Sequence, residues 1–131
     1  MSIVVGYVAT PEGRAALDAA VAEARLRDEP VVLVASTRPD AGSEERERLS
    51  VELETVRAEL EGHGVPHDVR VLDGGDVAED LIGTAEEVGA SLVVLGLRRR
   101  SPVGKLILGA NAQRVLFDAP CPVLTAKPGP S

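Results

Sequence analysis

An α/β domain built on an open five-stranded parallel sheet, with helices on both faces, is the fold this sequence predicts. Three observations carry that expectation. Five short runs rich in Val, Leu and Ile alternate with longer amphipathic stretches. Three of those runs are uninterrupted apolar blocks, as strands covered on both faces require. Aromatic residues make up 2% of a chain that is 44% hydrophobic, so the core has to be assembled from aliphatic side chains. The 131 residues suit a single domain, 1–131, with neither an internal repeat nor a long linker.

Taken in order, the first strand is expected at Ile3–Val8. Thr10 then caps a helix with Pro11 at its first position, where a missing N–H costs nothing. Leu17, Ala20, Val21 and Ala24 recur at three- and four-residue spacing and form its apolar stripe. A second strand, Val31–Ala35, leads through a surface loop at 37–42 to a helix capped by Ser43, with Leu49, Leu53, Val56 and Leu60 on one face. The third run, His67–Leu72, alternates apolar with polar residues, the pattern of an edge strand with one wet face. Asp76 followed by Glu79 starts the third helix, whose stripe is Val77, Leu81, Ala85 and Val88. After the fourth strand, Leu92–Leu97, a long loop reaches a helix containing Ala112, Val115 and Leu116 that ends before Pro120. Cys121–Ala126 is the last strand. Such strict alternation calls for parallel strands joined by right-handed crossovers.

Composition narrows the function. A formal net charge of −7 repels nucleic-acid backbones and anionic lipid, so neither is an expected partner. The amino-terminal residues lack the basic and long apolar regions of a signal peptide. No apolar run approaches the ~20 residues needed to span a bilayer. With one cysteine, Cys121, the chain cannot form an internal disulfide. A cytoplasmic protein is expected.

In a sheet of this kind, ligands sit beyond the carboxyl ends of the strands, where chain order reverses. The longest loop there runs from Gly96 through Arg98, Arg99, Arg100 and Lys105 to Gly109-Ala110-Asn111. Gly104-Lys105 is not a P-loop, because Arg99 stands where the first Gly belongs and Leu106 where magnesium needs a hydroxyl. A dinucleotide fingerprint is absent after the first strand. So is the carboxylate cluster of a response-regulator receiver, since that strand ends in Val8, Ala9 and Thr10. His63 and His67 flank a turn at the opposite end of the sheet, out of reach of a substrate in the crevice. Cys121 lies between two prolines without a His nearby in sequence and reads as a structural thiol. Asp73 and Asp76 bracket a Gly-Gly turn, where turn and cap roles outweigh metal binding. No metal site and no catalytic constellation are expected.

At this point the residues resemble the universal stress protein family. Its carboxy-terminal signature is matched by Val93-Val94-Leu95-Gly96, by Gly109-Ala110-Asn111-Ala112-Gln113-Arg114-Val115-Leu116, and by Ala119-Pro120-Cys121-Pro122-Val123-Leu124. Ile3-Val4-Val5-Gly6 and Thr10-Pro11-Glu12-Gly13-Arg14-Ala15-Ala16-Leu17 resemble its amino end. The resemblance implies strand order 3-2-1-4-5 and a binder rather than an enzyme. Nucleotide-binding members carry Gly, two residues, Gly, nine residues, then Gly and Ser or Thr, so that backbone and helix N–H groups approach phosphates. Gly96 and Gly109 keep that spacing. Arg99 replaces the middle Gly, Ala110 the hydroxyl residue, and Val8 an Asp that those members place near the nucleotide.

Two readings follow from the resemblance. In one, the ATP site is degenerate, no cofactor is needed, and the domain is a homodimeric stress-response interaction or regulatory module. In the other, the loop 96–111 holds ATP, AMP or another anionic ligand, with Arg98, Arg99, Arg100 and Lys105 supplying charge. Candidate ligand-binding residues are Thr10, Ala35, Gly96, Arg98, Arg99, Gly109, Ala110 and Asn111. The last strand lies at an edge in the implied order, and Cys121, Val123, Leu124 and Thr125 are the candidates for pairing with a second copy.

Overall fold

The computed structural model describes residues 1–98 and 109–129. Its elements follow the order β1 (Ser2–Gly6), α1 (Pro11–Arg27), β2 (Val31–Ser36), α2 (Ser43–Gly62), β3 (His67–Leu72), α3 (Val77–Val88), β4 (Ala90–Gly96), α4 (Ala110–Asp118) and β5 (Val123–Ala126). The five strands form one sheet in the order β3-β2-β1-β4-β5, every pairing parallel. Both the alternation of elements and the implied strand order are met.

The two faces of the sheet divide by residue parity, since successive side chains point to opposite sides. Ile3 and Val5 join Leu33 and Val94 against α1 and α2, whose contribution includes Leu17, Ala20, Val56 and Leu60. Val4, Val34, Val93 and Leu95 face the other way, against Leu81, Ile82 and Ala85 of α3 and Val115 of α4. An uninterrupted apolar run therefore feeds two cores at once. The apolar stripe expected for α1 is wholly buried; in α2, Leu53, Val56 and Leu60 are buried and Leu49 packs against them. In the third stripe Leu81 and Ala85 are buried, whereas Val77 is 40% exposed and faces the crevice described below.

Cap chemistry decides several ends. The Thr10 hydroxyl accepts the Gly13 N–H at 3.2 Å, with Pro11 leading the helix. The Asp76 carboxylate accepts the Glu79 N–H at 3.1 Å. α1 and α3 close on left-handed residues, Asp28 and Gly89. Ser43 is the first helical residue of α2 rather than its cap; Gly42 holds that place and offers no side-chain bond.

Strand boundaries shift where tertiary pairing overrules the apolar run. β1 ends at Gly6, with the Tyr7 N–H still donating to the Val34 carbonyl. β4 begins two residues earlier than expected, at Ala90. β5 begins at Val123, so Cys121 lies outside the strand. Pro122 has no N–H to give the ladder, and its carbonyl instead accepts from Val93 N at 3.0 Å. β3 keeps the expected bounds and its edge position.

Candidate functional site

Chain order reverses at β1, which sends α1 and α2 to one face and α3 and α4 to the other. The carboxyl ends of β1 and β4 consequently part to open a cleft of about 320 Å³. Gly6, Tyr7 and Val8 form one wall, Leu95, Gly96, Leu97 and Arg98 a second. Val77 and Leu81 of α3, with Asn111, Ala112 and Val115 of α4, complete it.

Two glycines let the backbones converge here. A Cβ on Gly96 would lie 2.0 Å from the Glu12 carbonyl oxygen, so β4 and the first turn of α1 touch through bare backbone. A Cβ on Gly13 would lie 1.8 Å from the Val8 carbonyl oxygen. Gly109, the N-cap of α4, meets nothing within 4 Å and faces open space at the mouth. The first and last glycines of the family loop thus differ in kind: Gly96 is demanded by packing, Gly109 is not.

Charge is sparse among the described lining residues. Glu12 is the one acid and Arg98 the one base, and they pair, Nε to Oε1, at 3.4 Å. The Glu12 side chain is 14% exposed and that of Arg98 62%. The Ser36 hydroxyl, on the β2 side, donates to Asp80 at 2.7 Å. Most of the remaining wall is aliphatic.

A separate clamp sets the position of α4. Arg114 Nη1 reaches both oxygens of Asp76, at 3.0 and 2.9 Å, and Nη2 reaches Glu79 at 2.6 Å. Asp76 is at once the cap of α3 and the partner of α4. Its carboxyl is held below the usual range, first by the Glu79 backbone N–H and then by Arg114. A lowered folded-state value means that this contribution is present above the unfolded value and lost as pH falls through the folded one. Asp76→Ala is expected to lower the melting temperature and to flatten its dependence on pH below about 4. Thermal melts by circular dichroism between pH 3 and 7 check this, and an unchanged melting curve would remove the clamp from the account.

The sequence candidates fare unequally. Gly96, Arg98, Gly109 and Asn111 line the cleft. Arg99 lies outside the described residues, as do Arg100 and Lys105. Thr10 is a helix cap and is not among the lining residues. Ala110 is exposed at the start of α4 and does not line the cleft either. Ala35 is 1% exposed and packs in the core beneath α1 and α2, because its parity in β2 sends it to that face. Its neighbours Val34 and Ser36, of opposite parity, reach the cleft instead.

Sequence reasoning passed over Glu12, Tyr7, Val77 and Leu81. Glu12 was available to it, since a residue in the first turn after β1 must stand at the carboxyl end of the sheet. Among the described residues no group of three His, Cys, Asp or Glu could hold a metal ion. Burial pushes the Cys121 thiol up, away from the reactive thiolate. No helix among the described residues is long and apolar enough to cross a membrane.

Comparison with known proteins agrees with this architecture. The model of the "Universal stress protein family" matches residues 1–127. A universal stress protein of Mycolicibacterium smegmatis is 44% identical over 126 residues, covering 96% of this chain and 97% of that protein. One from Thermus aquaticus is 31% identical over 134 residues, covering 96% and 98%. Among solved structures, a universal stress protein from Archaeoglobus fulgidus superposes with a TM-score of 0.81 at 32% identity, covering 97% of this chain and 98% of that one. Another from the same organism, in complex with dAMP, gives 0.76 at 26% identity with the same coverage. A family match over nearly the whole length, on a sheet of the implied order with its crevice at the implied strand ends, leads to one conclusion: the chain belongs to the universal stress protein family.

Proposed function

We propose that this protein is a cytoplasmic, homodimeric interaction or regulatory module of the stress response, without enzymatic turnover, whose crevice no longer takes ATP. The observation that carries the reading is the cleft's chemistry. Val8, 51% exposed, stands where nucleotide-binding members carry an acid; Ala110 offers no hydroxyl; and Arg98 is already matched by Glu12. β5 supplies the means of dimerising. It lies at the sheet edge, its four residues are half-buried, and its far side can pair with a second copy about a two-fold axis.

A second reading keeps the crevice as a nucleotide site. It is favoured by the cleft itself, open beside Gly109 and the amino end of α4 at the strand ends where such ligands sit. The A. fulgidus relative solved with dAMP supports it too.

One preparation separates the two. With no Trp and a single Tyr, the protein absorbs weakly at 280 nm, so bound nucleotide would dominate its spectrum. Expected are a dimer in analytical ultracentrifugation at micromolar concentration, no 260 nm peak, and no thermal shift with ATP or AMP. Monomer alone would overturn the dimer. A 260 nm peak lost after denaturation and filtration would establish the second reading. If Arg99→Gly with Ala110→Ser then creates nucleotide affinity where none existed, those positions explain its loss.

A further inference from the structure

The wall opposite α4 carries a residue that the loss of nucleotide contacts does not explain. Glu12 follows Pro11 at the start of α1, where the positive end of the helix dipole favours a carboxylate. Its backbone is fixed by the close approach of Gly96: a Cβ there would lie 2.0 Å from the Glu12 carbonyl oxygen and 3.1 Å from its Cβ. The Glu12 backbone is therefore held against the carboxyl end of β4. Two residues further along, Arg98 turns its guanidinium to that carboxylate at 3.4 Å.

Both groups line the cleft, yet their exposures differ sharply. The acid is 14% exposed and the base 62%. The less exposed member of the pair is the negative one, and the cation reaches it from the solvent side. A phosphate entering the cleft meets a carboxylate as well as an arginine already paired with it.

We infer that Glu12 is the specificity-determining residue of this cleft, an internal counter-anion that occupies Arg98 and excludes phosphorylated ligands. The inference rests on the reading of the crevice as one that no longer takes ATP, and supplies the residue that keeps it so. A carboxylate and a phosphate a few ångströms apart repel strongly where walls are apolar and water is limited. Removing the negative charge frees the guanidinium to make charge-assisted bonds to phosphate. Neutral ligands gain nothing from the change. The cleft thereby discriminates by charge, favouring an uncharged apolar or aromatic molecule over its phosphorylated form.

Calorimetric titration of AMP and of adenosine into wild type, Glu12→Gln, and Glu12→Gln with Arg98→Ala tests this. AMP is expected to bind Glu12→Gln at least about tenfold more tightly than wild type, with the gain abolished by Arg98→Ala and adenosine affinity unchanged throughout. Should Glu12→Gln melt well below wild type, Glu12→Ala replaces it in the same assay. If wild type ignores AMP and the variant does too, the inference falls while the interaction-module reading stands. If wild type binds AMP at micromolar concentration, that reading falls. The inference falls with it, because Glu12 then excludes no phosphate. A gain shared equally by adenosine also overturns it, because charge would not be the cause.

Discussion

Gly96→Ala is expected to destabilise the fold by on the order of 3 kcal/mol, and Gly13→Ala by a comparable amount. In each case the new Cβ would fall within 2.0 Å of a backbone carbonyl oxygen, Glu12 for Gly96 and Val8 for Gly13. Neither obstacle is a side-chain tip that could rotate away. Relief requires α1 to move off the end of the sheet, where it also contributes Ala16, Leu17 and Ala20 to the core. Gly109→Ala is the control. With nothing within 4 Å, it loses about 1 kcal/mol or less, the difference between Gly and Ala as an N-cap. Urea unfolding midpoints of the three variants check the ranking. A Gly96→Ala protein as stable as wild type would show that β4 and α1 do not meet through bare backbone.

The second large effect lies in alkali. Tyr7 is 4% exposed and donates its hydroxyl to Glu52 of α2 at 2.5 Å. Burial first, and then the bond to Glu52, push its ionisation from 10.0 up to about 12. A folded-state value above the unfolded one means that the stabilisation is complete below pH 10 and is lost as pH rises through about 12. Two units correspond to roughly 2–3 kcal/mol. Tyr7 is the chain's one tyrosine and tryptophan is absent, so tyrosinate absorbance near 295 nm reports this group alone. The native titration is expected near pH 12, and that in 8 M urea near pH 10. Tyr7→Phe should remove the alkaline dependence between those values. A native midpoint near 10 would mean that the ring is open to water and the tie to α2 is broken.

That tie belongs to a polar seam along the α1–α2 side of the sheet. Arg14 grips Glu59 through both terminal guanidinium nitrogens, and the bond holds the Glu59 carboxyl below its usual range. The side chains are 40% and 35% exposed, so solvent screening limits what the pair adds. It ties α1 to α2, as the Tyr7 bond to Glu52 ties the end of β1 to the same helix.

Local rules decided most of what is right in the sequence reading. A Thr-Pro start, an Asp three residues before a Glu, and stripes at helical spacing act within a few residues, so α1 and α3 and their caps were legible without a fold. The alternation in His67–Leu72 likewise announced an edge strand, since one wet face needs polar residues in alternate places. The resemblance in Leu92–Ala126 then supplied what no local rule contains, the order of the strands.

What tertiary structure alone decided is which side of the sheet each residue serves and which backbones touch. Ala35 and Ser36 are neighbours in one apolar run, yet one is sealed in the core and the other faces the cleft, because strand parity has meaning only once helices cover each face. Cys121 looked like strand until Pro122 broke the ladder beside Val93. Glu12 drew no reading from the sequence, and its meeting with Arg98 joins residues far apart in the chain beside the contact that Gly96 permits. Sequence thus determined the elements and their layering, because those depend on short-range periodicity. The electrostatic character of the crevice arose from long-range approach, which no window of neighbouring residues encodes.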